Sequence, residues 1–257
     1  MQTIDIFEWT FSPSDYFETP FEVVRDDYTM TIDNGRVEAR IDALVFDADP
    51  SIRDLIHRGL IDRFLGAQVV SFRPYELSDP KRTRLQPDGR RDTFIELKGA
   101  AAVASVGTFD VLVTRRDGSV ATDSKRERVD RKKTLADLVA FHSPSDAALA
   151  AMLVSYSTAI QDPQNELVHL YEIRDCLSTR FGGKASAIAS LGLHASEWSK
   201  LGQLCNDEPL RQGRHRGTAM SVLRDASEAE LQEARKIARN MIQLYLSYLE
   251  RMASARP

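Results

Sequence analysis

Tyr28-Thr-Met-Thr-Ile-Asp33 and Arg36-Val-Glu-Ala-Arg-Ile41 flank the dipeptide Asn34-Gly35, and this stretch decides the fold of the first half of the chain. Both flanking segments alternate in side-chain type, as strands with one buried face do. Asn-Gly between two such segments is the strongest short-range signal for a hairpin, because both residues tolerate the positive φ of a type I′ turn. The sequence therefore predicts an antiparallel hairpin here.

Strand-type patterns continue on both sides of this hairpin. Ile4–Phe11 alternates before it. After it, Asp49 as N-cap and Pro50 at the first position open an amphipathic helix that is predicted to end near Gly66. Further strands are predicted at Val69–Arg73, Thr93–Leu97, Ala101–Ser105 and Thr108–Val113. Residues 1–143 are therefore predicted to form a β-rich module with one helix.

Helical patterns follow the predicted linker at Ser143. Asp146 to about Ile160 is rich in alanine, and Asp162-Pro163 opens a helix with a wide apolar stripe that Gly182-Gly183 ends. The last helix begins with the capping box Ser227-Glu-Ala-Glu230. Residues 144–257 are therefore predicted to form a helical bundle. The predicted fold class is α+β, with a β-rich N-terminal domain followed by an all-α helical-bundle C-terminal domain.

Composition limits the possible classes of protein. The formal net charge of -4 over 257 residues argues against a general nucleic-acid coat. No apolar run approaches the roughly 20 residues that span a bilayer, and the N-terminus lacks a secretory signal, so we expect a cytoplasmic protein without a membrane partner. Cys176 and Cys205 stand among apolar neighbours and are predicted to be buried thiols. We expect no metal site and no cofactor.

Two stretches are locally basic. One runs from Lys81 to Arg91, and the other from Lys125 to Lys133 leads into Thr134–Phe141, a segment predicted as a short helix or strand. Lysine and arginine interspersed with acidic residues are typical of solvated loops. Contact with a nucleic-acid backbone is the alternative for both stretches.

The segment from Lys184 to Cys205 predicts a short helix, a turn at Gly192 and a second helix anchored by Trp198 and Leu201. This pattern is similar to a helix-turn-helix. The second helix offers only Lys200 as a cation, so packing within a bundle is the simpler interpretation.

Chemistry-bearing side chains concentrate between Asn206 and Gly217, which read Asn-Asp-Glu-Pro-Leu-Arg-Gln-Gly-Arg-His-Arg-Gly. Arginine stays charged at any working pH and binds phosphates with two donors, whereas histidine exchanges protons near neutrality. Together they suit phosphodiester chemistry. The alternative is that these arginines only solvate the loop and pair with Asp207 and Glu208.

Arg211-Gln212 followed by His215, ahead of a long terminal helix, resembles the HEPN superfamily of helical RNases, toxins and defence proteins. Three residues separate the arginine from the histidine, where the family pattern has four to six. The resemblance covers roughly Asp146 to Met252 and implies metal-independent RNA cleavage with Arg211 and His215 as catalytic residues. It also implies phosphate binding by Gln212, Arg214 and Arg216, and a site shared across a homodimer.

Two other functions are compatible with the sequence. One is a non-catalytic regulatory protein, in which the β-rich module senses a ligand or a partner from a multi-component system and the helical domain dimerises. The other is DNA binding through residues 184–205. Cleavage of RNA in the presence of a chelator separates the enzyme from both alternatives.

Overall fold

The structure, a computed structural model, describes residues 2–94, 112–114, 120–214 and 223–255. The chain divides into two compact units. Unit 1 comprises Met1–Ala67 and Arg73–Asp137, and unit 2 comprises Gln68–Phe72 and Leu138–Pro257. The predicted division between residues 143 and 144 lies a short way beyond Asp137. No pattern in the sequence indicates that Gln68–Phe72 belongs to the second unit.

Unit 1 is built on an antiparallel sheet, which confirms the β-rich first part of the predicted α+β fold. Its strands are β1 (Ile4–Ser12), β2 (Phe21–Val24), β3 (Tyr28–Asp33), β4 (Arg36–Asp42), β5 (Glu76–Leu77), β6 (Lys81–Leu85) and β7 (Arg91–Phe94). The order across the sheet is β2-β3-β4-β1-β6-β7, with β5 also paired to β1. The predicted hairpin is confirmed: β3 pairs with β4, and Asn34 and Gly35 both have positive φ. A separate pair is formed by β8 (Leu112–Thr114) and β9 (Val120–Asp123).

Two helices precede β5, and the second of them forms the core with the sheet. They are α1 (Ala43–Ala48), which the sequence did not predict, and α2 (Ile52–Ser71). Along β1, alternate side chains Phe7, Trp9 and Phe11 are buried. From α2, the residues that join this core recur every three or four positions: Ile52, Ile56, Leu60, Phe64 and Ala67. The Phe64 ring lies 5.2 Å from that of Phe11, centroid to centroid.

The predicted end of α2 near Gly66 and the predicted strand Val69–Arg73 are both wrong, because α2 continues to Ser71. Gly66 does not end the helix. A Cβ at Gly66 would lie 2.6 Å from the Leu135 carbonyl oxygen, so glycine is the residue that permits two backbones to approach this closely. The β-branched Val69 is fully buried, so tertiary packing overrides its local preference for a strand.

The second basic stretch is also helical, which corrects its prediction as a loop. Helix α3 (Ser124–His142) includes all of it together with Thr134–Phe141. Lys132 is 2% exposed, and its Nζ donates to the Tyr16 carbonyl at 2.8 Å and to Glu18 Oε1 at 2.6 Å. Arg128 donates to the same Glu18 at 2.6 Å. These two cations therefore stabilise unit 1 from within.

Other predicted strands have mixed outcomes. Arg91–Phe94 confirms the start of Thr93–Leu97, and Leu112–Thr114 overlaps the end of Thr108–Val113. Ala101–Ser105 lies outside the described residues.

Unit 2 is helical, as predicted. Its main helices are α4 (Ala147–Gln161), α5 (Glu166–Phe181), α6 (Lys184–Leu191), α7 (Ala195–Gly202) and α8 (Glu228–Ser254). Helix α5 is central, since it contacts α4, α6, α7 and α8. Gly182, at φ 72°, ends α5 as predicted, because glycine adopts the left-handed conformation without a steric penalty. The predicted capping box at Ser227 and Glu230 is confirmed.

Buried polar contacts hold the bundle in register. Asp146 caps α4 by accepting a hydrogen bond from the Leu149 amide at 2.8 Å, and it also accepts one from the Tyr245 hydroxyl of α8 at 3.0 Å. Glu166 of α5 is almost fully buried and accepts two hydrogen bonds from Arg235, at 2.7 and 2.8 Å. Such bidentate pairs fix the helices in one arrangement because each charge is satisfied only there.

None of the helices in the described ranges combines the length and apolar content needed to cross a membrane.

Candidate phosphate-binding site

A π-helical turn leads from α7 into the arginine-containing segment. In this turn, Gln203–Asp207, the Glu208 amide donates to the Gln203 carbonyl at 3.0 Å, five residues back. The Cys205 carbonyl instead accepts a hydrogen bond from the Arg214 amide at 2.9 Å. The wider turn thus frees an acceptor that anchors the following segment, a use typical of π-helical insertions near functional sites.

Cys205 itself is structural. Its thiol is fully buried, as predicted, and burial raises its pKa to about 12. The thiol therefore stays protonated near neutral pH and is a poor nucleophile. Cys176 is only partly buried, and both cysteines are free.

The base of the arginine-containing segment is closed by a short parallel bridge between Leu210 and Arg224, which we call the base clamp. The Arg211 amide donates to the Arg224 carbonyl at 3.0 Å, and the Arg224 amide donates to the Pro209 carbonyl at 3.1 Å. The Arg224 guanidinium forms two hydrogen bonds with Glu230 of the capping box, at 2.6 and 2.8 Å. The hydrogen bonds from Arg224 lower the pKa of Glu230 to about 2, so this carboxylate is ionised at working pH.

Arg211 and Gln212 line a concave pocket of about 410 Å³ together with Gln164 and Asp225. The Arg211 side chain is 61% exposed, and its Nη1 lies 4.0 Å from Oδ2 of Asp225. The Gln212 Oε1 accepts a hydrogen bond from the Ala226 amide at 3.0 Å, and its Nε2 donates to Asp225 Oδ1 at 3.4 Å. An exposed ion pair at this distance contributes little energy. Arg211 can therefore exchange Asp225 for an incoming anion.

Arg214 lies against α5. Its Nη1 is 2.8 Å from Asp175 Oδ2, and its guanidinium carbon is 4.3 Å from the centroid of the Tyr171 ring. The backbone of Arg214 is held by Cys205 as well. These contacts give Arg214 a structural role that the sequence does not indicate, while its predicted contact with phosphate stays a prediction.

His215 and Arg216 lie outside the described residues. The structure brings Arg211 and Gln212 together in one pocket and places Arg214 on α5. The predicted catalytic role of His215 and the predicted phosphate contact of Arg216 stay predictions.

The carboxylate partners of the arginines differ from those that the sequence suggested. Arg211 and Arg214 have Asp225 and Asp175 as their ion-pair partners, in place of Asp207 and Glu208. Glu208 is instead 3.8 Å from Arg224. Gln164, which comes from the turn before α5, is another pocket residue that no pattern in the sequence indicates. The spacing of residues in the sequence predicts none of these partners, because the fold brings each of them together from another part of the chain.

The first basic stretch is largely paired within unit 1. Arg82 and Arg84 bind the fully buried carboxylate of Asp5, at 2.8 and 2.6 Å, and Arg84 also binds Asp47 at 2.5 Å. These pairs position strands β1 and β6 next to each other. A nucleic-acid contact by these two arginines would have to break them.

The predicted helix, turn and helix between residues 184 and 205 are confirmed as α6, a turn at Gly192 with φ 68°, and α7. Ala187, Leu191, Trp198 and Leu201 are buried. Glu197 accepts a hydrogen bond from Asn240 of α8 at 3.1 Å, so part of α7 is occupied by the bundle. Ser199 and Lys200 are exposed, which leaves this segment a weak cationic surface for DNA.

Comparisons with family models, with curated proteins and with solved structures found no match to this chain.

Proposed function

We propose that this protein binds single-stranded RNA at the Arg211 pocket and cleaves it without a metal ion. The observation that supports this proposal most directly is the exposed Arg211 guanidinium, weakly held at the edge of a nucleotide-sized pocket. The base clamp and Gln212 fix the backbone around Arg211, so little reorganisation is needed when a phosphate enters.

In the proposed reaction, the ribose 2′-hydroxyl attacks the adjacent phosphorus and the bond from phosphorus to the 5′-oxygen breaks. His215 removes the proton from the 2′-hydroxyl, and a proton is delivered to the leaving 5′-oxygen. Arg211 stabilises the negative charge that develops on the phosphoryl oxygens. The products are a 2′,3′-cyclic phosphate and a 5′-hydroxyl. The proposal includes a homodimer and a role in defence or as a toxin, both taken from the HEPN resemblance, and the cytoplasmic location expected from the sequence.

The test is cleavage of a mixed-sequence RNA by the purified chain in the presence of EDTA. Arg211→Ala and His215→Ala are each expected to reduce the cleavage rate at least about a hundredfold, since each removes one group that acts in the transition state. The control is Arg40→Ala, which removes a 57% exposed arginine that lies outside both basic stretches and is expected to leave the rate unchanged.

Undiminished cleavage in either site variant would remove that residue from the mechanism. Retention of RNA without cleavage would favour the non-catalytic alternative, in which the pocket docks a phosphate or an acidic partner. The cyclic-phosphate end of the product, detected by mass spectrometry, distinguishes this reaction from metal-dependent hydrolysis.

A further inference from the structure

The Arg211 pocket contains a carboxylate, which a site for phosphate alone does not need. Asp225 is 69% exposed and shares the pocket with Arg211, Gln212 and Gln164. Its negative charge opposes the binding of an anion at Arg211. Among the described residues, the lining of this pocket combines a guanidinium, a carboxylate and amide side chains, and it is therefore suited to a ligand that has both a negative group and a set of hydrogen-bond donors.

The carboxylate of Asp225 makes only long contacts with the part of the chain that the structure describes. Oδ1 receives Gln212 Nε2 at 3.4 Å, and Oδ2 lies 4.0 Å from Arg211, whereas strong hydrogen bonds to a carboxylate are shorter than about 3.0 Å. An ionised carboxylate offers roughly four acceptor positions. Both oxygens of Asp225 can therefore accept two parallel donors from a ligand.

Gln212 sets the orientation of this carboxylate. The backbone amide of Ala226 can only donate, so the oxygen of the Gln212 side chain must face it, at 3.0 Å. The amide nitrogen of Gln212 is consequently directed to Asp225. Gln212 is thus a positioning residue for Asp225, in addition to any contact with phosphate.

Among the four RNA bases, guanine alone presents two adjacent donors, N1–H and N2–H, on one edge. Adenine and cytosine each present one amino group beside an acceptor, and uracil presents one N–H between two acceptors. Unpaired bases of single-stranded RNA are commonly recognised by hydrogen bonds along this edge.

We propose that Asp225 selects guanine, by accepting hydrogen bonds from N1–H and N2–H, while the exposed Arg211 side chain turns away from Asp225 and binds the phosphate of the same nucleotide. The Gln164 amide, which lines the same pocket, can donate to O6. The volume of about 410 Å³ lies within the range for small-ligand pockets. This inference rests on the proposed function, because it names the base that the RNA-binding pocket prefers.

The test measures equilibrium binding of GMP, IMP, AMP and UMP to the full chain by calorimetry. GMP is expected to bind about tenfold more tightly than AMP or UMP, because a bidentate contact to a base discriminates by roughly 5- to 150-fold. IMP lacks the N2 amino group and is expected to be intermediate. Asp225→Asn is expected to remove the preference for GMP, since an amide replaces one of the two acceptors.

Asp207→Asn is the matched control, because it removes an exposed carboxylate from the preceding turn and is expected to keep the GMP preference. If all four nucleotides bind with equal affinity, and Arg211→Ala weakens all four to the same extent, guanine selection is overturned. The phosphate site at Arg211 would then still stand. Guanine selection would also be overturned if Asp225→Asn strengthened the binding of every nucleotide equally. If none of the four nucleotides binds, both this inference and the proposed function are contradicted.

Discussion

Replacing Gly66 with alanine is expected to lower the free energy of unfolding of unit 1 by about 3 kcal/mol. A Cβ at this position would lie 2.6 Å from the Leu135 carbonyl oxygen and 2.7 Å from the Ala136 Cα. Both atoms belong to the backbone of α3, so no side-chain rotation can relieve the overlap. Overpacking typically costs about 1–3 kcal/mol, and here α2 and α3 would have to separate. Urea unfolding followed by circular dichroism measures this loss.

The same helix contains the matched control. A Cβ at Gly59 would meet only the end of the Arg63 side chain, at 3.4 Å, which is an ordinary contact. Gly59→Ala is therefore expected to be neutral or to stabilise the protein by up to about 1 kcal/mol, because alanine favours a helix. Equal effects of alanine at positions 59 and 66 would contradict the close approach of α2 and α3 at Gly66.

Replacing Glu18 with glutamine is expected to cost about 3 kcal/mol at neutral pH. The change leaves the charge of Lys132, which is 2% exposed, without its carboxylate, and it also removes a carboxylate to which Arg128 donates. Breaking a buried ion pair by removing one partner typically costs about 3–5 kcal/mol, because the remaining charge stays desolvated. Thermal or urea unfolding of both proteins measures the difference.

This difference in stability should depend on pH. Burial opposes ionisation of Glu18, but hydrogen bonds and charge attraction from Arg128 and Lys132 outweigh it and lower the pKa of Glu18 below its usual value. A carboxyl group with a lowered pKa stabilises the folded state above its unfolded pKa, and this stabilisation is lost as pH falls through the folded pKa. The difference in the free energy of unfolding between the parent protein and Glu18→Gln should therefore be constant at about pH 6–8, where carboxyl groups are ionised. This difference should become smaller in acid.

Asp130→Asn is the control for this pair. Asp130 pairs with Arg126 one turn earlier on α3, at 3.7 Å, and both side chains are exposed. Exposed pairs contribute less than about 1 kcal/mol, so this variant should unfold almost as the parent does. A loss in Glu18→Gln no larger than that in Asp130→Asn would argue that Lys132 is not stabilised by Glu18.

Short sequence patterns predicted the elements whose conformation depends on residues close by in the sequence. Asn34-Gly35 specified the hairpin because its backbone conformations suit few other residues. The capping box at Ser227 and the left-handed Gly182 located helix ends for the same reason. In each case the energy that fixes the structure lies within a few residues of the chain.

The wrong predictions concern residues whose role depends on tertiary contacts with distant parts of the chain. A glycine after an amphipathic pattern predicts a helix end at Gly66, but its role is to admit the backbone of α3, which comes from a distant part of the sequence. Lys132 stood in a charge-rich stretch typical of a solvated loop, yet Glu18 and the Tyr16 carbonyl satisfy it in the interior. A charge pattern does not reveal partners that are remote along the chain.

The candidate site also contains both residues that the sequence identifies and residues that only the fold brings to the pocket. Arg211 and Gln212 could be identified from their residue types and from their place before the last helix. Asp225 and Gln164 complete the pocket only because the base clamp and the turn before α5 bring them there. The attachment of Arg214 to Tyr171 and Asp175 likewise depends on the position of α5.

The base clamp has a consequence for how the Arg211 pocket can be redesigned. Its two hydrogen bonds, from the Arg211 amide to the Arg224 carbonyl and from the Arg224 amide to the Pro209 carbonyl, join backbone groups only. The backbone pairing therefore does not depend on which side chains stand at these positions. Substitutions at Arg211, Asp225 and Gln164 can thus change the chemistry of the pocket on an unchanged scaffold.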